Sequence, residues 1–460
     1  MRTVGPLEMY SVRRNQLRLN SVVIVAAQYS QTLTKQCLYR ALAGLIEREP
    51  FLTATVFGVD SDEVVLKQVD CIDLDKIVTF DDTCTSFEQL SDSLIPGTCL
   101  PYEDPSLPVW RLYVIGKDQK ELAFAFDHVC FDGGSGPLFH TKLLDQLNHI
   151  STTDSPIPSV LTKDSDAGEA DATFPSMDFL PNLEKLVDMR PPWSFMLKVV
   201  GQMALQKWWP DKKWTGPPPV ATMESASTFT QLDADTVGQL LKLSKSNGVT
   251  LTSLLYAVFM RAIVDSGLVP ESASNHKFDC ACPVNARKYI SHPPGMDTAL
   301  GNYVFNFHDS RFTPNDKDIF SIASKFNTNL RKALSAPTDI AYEIGLLGMI
   351  NVKSYVHGAT KAAARGSTAE ISNLGTYDFF TASTENSSST KKWHISSLSF
   401  TQGSSAMGAP FMLNLVSVKK GPLTLGISTC TNKQDCTSLV RAMSAIISNL
   451  TSSSSISSDA

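Results

Sequence analysis

The sequence predicts an α/β (α+β) chain of two lobes joined by a linker, and three observations carry that reading. Both halves of the 460-residue chain alternate short β-branched or apolar runs with segments of helical period. Between about 151 and 220 the composition shifts toward Pro, Asp and Ser and closes on Trp214-Thr-Gly-Pro-Pro-Pro219. With 43% hydrophobic and 19% charged residues, the chain has the material for packed cores and not the profile of a disordered one.

Along the chain, Val22 to Ala27 is a β-branched run that suits a strand. Thr32 to Glu49 carries Leu38, Leu42, Leu45 and Ile46 on one helical face and stops at Pro50. Thr53–Val59 and Val64–Val69 read as paired strands, as do Trp110–Ile115 and Glu121–His128, and a helix from Pro137 to Asn148 follows. In the second half, helix Thr252–Asp265 precedes strands at Lys277–Val284 and near Tyr303–Phe307, then helices at Ile319–Leu334 and Ile340–Val356. Strands near Ile371–Phe379, His394–Thr401, Phe411–Val418 and Leu423–Ser428 lead into a last helix, Thr437–Leu450. The expected division is a lobe over 1–165, a linker with an embedded helix over 166–225, a second lobe over 226–450 and a disordered tail over 451–460.

A net charge of −6 argues against nucleic acid as a partner, because phosphate binding needs a basic face. Nine cysteines in no disulfide or zinc spacing read as reduced thiols, and the Cys280-x-Cys282 pair as structural. The N-terminus lacks the apolar core of a signal peptide, so the expected location is cytoplasmic. One segment qualifies that expectation. Trp193–Trp209 is mostly apolar, with Lys198 and Lys207 as its only charges. It reads first as a helix docked on the protein's own surface, and alternatively as an interfacial helix giving peripheral contact with a membrane or lipid surface.

The stretch Phe124-Ala-Phe-Asp-His128-Val-Cys-Phe-Asp132-Gly133-Gly134-Ser-Gly-Pro137 carries the chemistry. Period-two alternation puts Leu122, Phe124, Phe126 and His128 on one apolar strand face, and two glycines permit a tight turn into the helix. A histidine at a strand terminus beside a dry surface meets the requirements of a general base. No Gly-Lys-Ser/Thr follows, which removes a phosphate loop, and Ser135 lacks the final glycine of a nucleophile elbow. No His-Glu-x-x-His or Cys-x-x-Cys pair offers a metal.

Asp127-His128-Val-Cys-Phe-Asp132-Gly133-Gly134 resembles the active-site motif of the chloramphenicol acetyltransferase-like superfamily, the His-x-x-x-Asp acyltransferases. Gly5-Pro-Leu-Glu8 and Arg13-Arg14 are similar to the opening segment of its fungal alcohol acetyltransferase branch. Cys282-Pro-Val-Asn-Ala-Arg287 followed by Leu300-Gly-Asn302-Tyr resembles a strand pair found across the superfamily, and the matches run in order from residue 5 to about 403. The resemblance implies two lobes, each a mixed sheet flanked by helices, with a channel between them. It implies acyl-CoA, acetyl-CoA in particular, as co-substrate, an alcohol acceptor, His128 as base, Asp132 paired with Arg287, and Gly133 in the active-site turn. No bound cofactor, covalent intermediate or metal is implied, and a monomer is expected.

Two departures leave the oxyanion donor open. Asp127 stands where condensation domains carry a second histidine, and the Asp-Phe-Gly-Trp-Gly of the plant enzymes is missing, with Asn373-Leu-Gly-Thr-Tyr-Asp378 its nearest counterpart. Ser399 and Thr401 are the candidate donors, since an oxyanion needs a fixed donor about 3 Å away. Lys391 and Lys392 are candidates for the CoA phosphates, against a plain surface charge pair. The reading is an O-acyltransferase acting on a hydrophobic alcohol or secondary metabolite. An amine acceptor and a non-catalytic binding relative are the alternatives.

Overall fold

The computed structural model describes residues 1–61, 63–150, 159–164, 172–208, 212–219, 225–379, 392–404 and 406–456. Two sheets organise it. The first has five strands in the order Ile395–Gln402, Val23–Tyr29, Glu121–Phe126, Trp110–Ile115, Val78–Asp81. All neighbours are antiparallel except the last pair. One face, with Val23, Val25, Phe124, Phe126 and Phe400, packs against helices Lys35–Ile46 and Ser135–His149. Thr34 caps the first of these helices by accepting from the Cys37 amide, so it starts three residues later than the apolar period suggests.

The second sheet runs Lys213–Trp214, Lys277–Asn285, Ala369–Tyr377, Phe411–Val418, Leu423–Thr429, Ala226–Leu232, with Val304–Phe312 also paired to Lys277–Asn285. Its Cys280, Cys282, Ile371, Leu413 and Ile427 share an apolar core with helices Leu251–Asp265, Ile319–Ser335 and Lys433–Ile456. The registers place His308, Ala281, Glu370, Met412, Ser428 and Ser227 in one row across the opposite face. Asn306, Pro283, Ser372, Asn414 and Gly426 form the next row on that side. The hydroxyls and charges follow from the pleat: one face is spent on the helical core, and the other meets polar partners, in part across the lobe junction.

Three boundaries differ from the sequence reading. Strand Ile395–Gln402, expected in the second lobe, belongs to the first sheet, so the span 226–450 is not one lobe. Its outer edge meets the second sheet, where Thr424 Oγ1 donates to the Leu398 carbonyl at 2.6 Å and Ser428 Oγ to that of Gln402 at 3.0 Å. Hydroxyls thereby satisfy an edge that would otherwise be left unpaired at the lobe junction.

The segment 166–225 is not merely a linker either. Ala172–Phe174 joins a small sheet with Val160–Lys163 and Cys71–Asp73, and Lys213–Trp214 pairs with Lys277–Asn285. The tail is the third difference. The last helix continues to Ile456 because Ile447 is buried in the core and Thr451 donates to its carbonyl at 3.0 Å; residues 457–460 lie outside the described residues. The helix expected over Ile340–Val356 is also broken, into Thr338–Gly345, a short 3-10 turn and Val352–Ala359. A side chain at Gly345 would lie 1.8 Å from the Met189 carbonyl oxygen, so only glycine admits that close approach.

Candidate active site

Strand Glu121–Phe126 ends two residues before His128, and the loop that follows is fastened at both ends. Before the histidine, Asp127 is buried and accepts from Asn15 Nδ2 at 2.5 Å, Tyr102 Oη at 3.0 Å and the Val129 amide at 2.8 Å. Burial raises its pKa, and these three donors oppose the rise. Asp127 therefore anchors the loop's entry, where the resemblance suggested a second histidine. After the histidine, Asp132 takes Arg287 Nη1 at 2.8 Å and Nη2 at 3.0 Å, together with the Tyr303 amide at 2.8 Å and the Ser135 amide at 2.9 Å. Both partners of this ion pair are almost sealed, at 3% and 2% exposure.

Arg287 spends its remaining donors on the Ala299 and Gly301 carbonyls, the Ser135 hydroxyl and Asn285 Oδ1. Asn302 Nδ2 closes the clamp on the His128 carbonyl at 2.6 Å. The segment 299–303 of the second half thus holds the histidine loop of the first, and every carboxylate lone pair in the pair has a donor.

The glycines of this loop serve closeness rather than turn geometry. Neither Gly133 nor Gly134 has a positive φ. A side chain at Gly133 would meet Leu374 Cδ2 at 2.6 Å, and one at Gly136 would meet Val25 Cγ2 at 2.3 Å.

The His128 imidazole keeps intermediate exposure, yet protein surrounds it closely enough that burial lowers its pKa to about 4. The positive Arg14 pushes in the same direction, while Asp132 and the residue's own main-chain carbonyl oppose. Arg14 comes from helix Pro6–Gln16; its guanidinium lies 4.4 Å from the Tyr10 ring centre, and its buried Nε has no hydrogen-bond partner among the described residues. The same charge reaches Glu370, which accepts from Gln402 Nε2 at 2.9 Å. Arg14 thus lies close enough to both His128 and Glu370 for its charge to act on each. The helix histidine, His140, contrasts with this: Tyr29 Oη and the Val25 carbonyl, each at 3.0 Å, occupy both of its nitrogens.

The other sequence candidates separate from this site. Leu398 and Phe400 point to the core beneath the histidine loop, so alternation turns Ser399 and Thr401 to the opposite face. Thr401 is buried there, 3.4 Å from the hydroxyls of both Ser227 and Ser428. The Thr401 hydroxyl is thereby engaged by Ser227 and Ser428, while Ser399 lies on the strand face away from Phe400. Lys392 is exposed, and Lys391 lies outside the described residues. Arg14, Asn302, Gln402 and Glu370 were missed, because their relation to His128 is set by long-range packing. The sequence signals were the Arg13-Arg14 pair near the start and the Leu300-Gly-Asn302-Tyr segment, neither of which told the residue's role.

A two-sheet architecture with a histidine loop locked between the lobes defines the chloramphenicol acetyltransferase-like acyltransferase fold, and comparison with solved structures agrees. The trichothecene 15-O-acetyltransferase TRI3 of Fusarium sporotrichioides matches with a TM-score of 0.67 at 14% identity, over 98% of this chain and 94% of that one. The epimerization domain of tyrocidine synthetase B matches at 0.63 and 12%, over 98% and 95%. The alcohol acetyltransferase family model matches residues 3–450, so the chain belongs to the alcohol acetyltransferase family and is an acyltransferase. An uncharacterized protein of Schizosaccharomyces pombe is 34% identical over 93% of this chain and 91% of its own length. Alcohol O-acetyltransferase 2 of Saccharomyces cerevisiae is 21% identical over the same shares.

Proposed function

We propose that this chain transfers an acetyl group from acetyl-CoA to the hydroxyl of a hydrophobic alcohol or hydroxylated secondary metabolite, with His128 as general base. The observation that carries the reading is the state of His128. It is neutral at physiological pH, fixed through its own carbonyl by Asn302, and free of hydrogen bonds to other described side chains, unlike His140. A neutral imidazole carries one ring nitrogen with a free lone pair, which can take the acceptor proton.

The chemistry is direct transfer. The acceptor oxygen attacks the thioester carbonyl as its proton passes to His128, the C–S bond of the tetrahedral adduct breaks, and the proton goes on to the CoA thiolate. Asp132 and Arg287 position the loop and touch neither substrate. Support for an alcohol acceptor comes from the family and from relatives whose names state alcohol or trichothecene O-acetylation.

The test is thiol release from a panel of acyl-CoAs, with and without alcohols and amines. Acetyl-CoA with a hydrophobic alcohol should give acceptor-dependent release. Release driven equally by amines, or by no acceptor in the panel, would count against the O-acetyltransferase reading.

A further inference from the structure

Arg14 is a cation with unused donors held beside the histidine loop. Helix Pro6–Gln16 carries it, and the next residue, Asn15, ties that helix to the loop by donating Nδ2 to Asp127 at 2.5 Å. One turn earlier on the same helix, the Tyr10 ring supports the guanidinium at 4.4 Å. The preceding residue, Arg13, directs its guanidinium to the Val59 carbonyl at 2.6 Å and to Gln16 Oε1 at 2.7 Å. Arg14 has no such use. Its Nε is buried, and no hydrogen bond or ion pair joins the side chain to another described residue. A buried N–H without an acceptor costs stability, so its retention calls for a partner from outside the chain.

The sign of the charge narrows that partner. Arg14 lowers the pKa of His128, and so works against the imidazolium that forms when the ring takes a proton. A cation so placed helps the reaction only where negative charge develops beside it. The nearby carboxylates are already engaged: Asp127 by Asn15, Tyr102 and the Val129 amide, Asp132 by Arg287, and Glu370 by Gln402. In acyl transfer, the anion that forms next to the base is the oxygen of the tetrahedral adduct.

We propose that Arg14 is the oxyanion donor, its N–H groups holding the thioester carbonyl oxygen and stabilising the charge it gains as the acceptor adds. The inference rests on the acetyl-transfer reading with His128 as base. As the acceptor oxygen bonds to the carbonyl carbon, its proton passes to His128 and the π pair of C=O moves onto the carbonyl oxygen. That pair then returns to re-form C=O, the C–S bond breaks with its electrons on sulfur, and His128 gives the proton to the thiolate. Arg14 keeps its own protons throughout. Of the hydroxyls suggested by the sequence, Thr401 is engaged by Ser227 and Ser428, and Ser399 is uncharged. A guanidinium answers a full negative charge more strongly than a neutral hydroxyl does.

The experiment measures thiol release from acetyl-CoA, with water alone and with the fastest alcohol of the panel, for the parent, Arg14→Met, Arg14→Lys and His128→Ala. Arg14→Met should lower kcat about 100- to 1,000-fold with water and alcohol alike, and leave both KM values within about twofold. Arg14→Lys keeps the charge without the planar fork and should recover about tenfold of that loss. Melting temperatures of both Arg14 variants should stay near the parent's, because the side chain bonds no other described residue.

A pH–rate profile separates this role from an effect on the base alone. If Arg14 only lowered the His128 pKa, Arg14→Met would shift the acid limb and keep the plateau at the parental rate or above, which would overturn the proposal. A raised KM for the alcohol with kcat retained would make Arg14 an acceptor contact, and a raised KM for acetyl-CoA a nucleotide contact. Either result overturns it, as does loss of the plateau in Ser399→Ala in place of Arg14→Met. Activity retained in His128→Ala but lost in Arg14→Met would count against the base and support the oxyanion donor.

Discussion

Arg287 grips both carboxylate oxygens of Asp132, at 2.8 and 3.0 Å, across a separation of 155 residues. Breaking a buried pair strands a charge, so Asp132→Asn and Arg287→Ala should each lower stability by about 3–5 kcal/mol, with loss of activity. The double variant should lose less than the sum, since neither charge is then orphaned, and chemical denaturation of the four proteins measures the coupling. Burial alone would raise the Asp132 pKa, but Arg287 and the Tyr303 amide outweigh it and hold it below 3.8. A carboxyl lowered in the folded state stabilises the fold above its unfolded pKa and loses that contribution as pH falls. The stability gap between parent and Asp132→Asn should therefore be full at neutral pH and shrink below about pH 4.

His128→Ala should cut turnover by roughly two to four orders of magnitude, the usual worth of a general base. Its melting temperature should stay near that of the parent, because the ring bonds no other described side chain. Retention of more than about a tenth of the parental rate would remove the residue from the mechanism.

With its pKa near 4, His128 is base-competent at any pH above that value. The acid limb of kcat/KM should accordingly lie near pH 4–5. Arg14→Met removes a positive neighbour, makes protonation easier and raises the pKa, so the limb should move to higher pH by roughly half to one unit. A pH–rate profile of the two proteins decides this, and an unmoved limb would show that Arg14 does not act on the base.

Gly136→Ala places a methyl group 2.3 Å from Val25 Cγ2, in a core where Val25 is fully buried. Overpacking of this kind costs about 1–3 kcal/mol. Combining it with Val25→Ala should recover part of the loss, measurable as a rise in melting temperature over Gly136→Ala when each is corrected for Val25→Ala alone.

Local periodicity is what made much of the chain legible. The alternation through Phe124 and Phe126 and the helical period before Pro50 depend only on near neighbours, so the strand, the turn with His128 and the helix of the first lobe could be read residue by residue. Helix Pro6–Gln16 and strand Ala226–Leu232 escaped because their apolar pattern is weak and their partners are distant.

The meeting of Asp132 with Arg287 was available only through resemblance to a family, since no spacing rule joins residues so far apart. Tertiary structure alone decided which sheet Ile395–Gln402 would join, because a strand's hydrogen-bonding edge is indifferent to the half of the chain that supplies it. It also decided that Ser399 lies on the strand face opposite Phe400 and that the charge of Arg14 reaches His128, since Coulomb interactions act through space and not along sequence. The sequence by itself determined that Trp193–Trp208 is an apolar helix. Packing through Phe195 determined which apolar side was left outward, because the core can cover only one face of a helix.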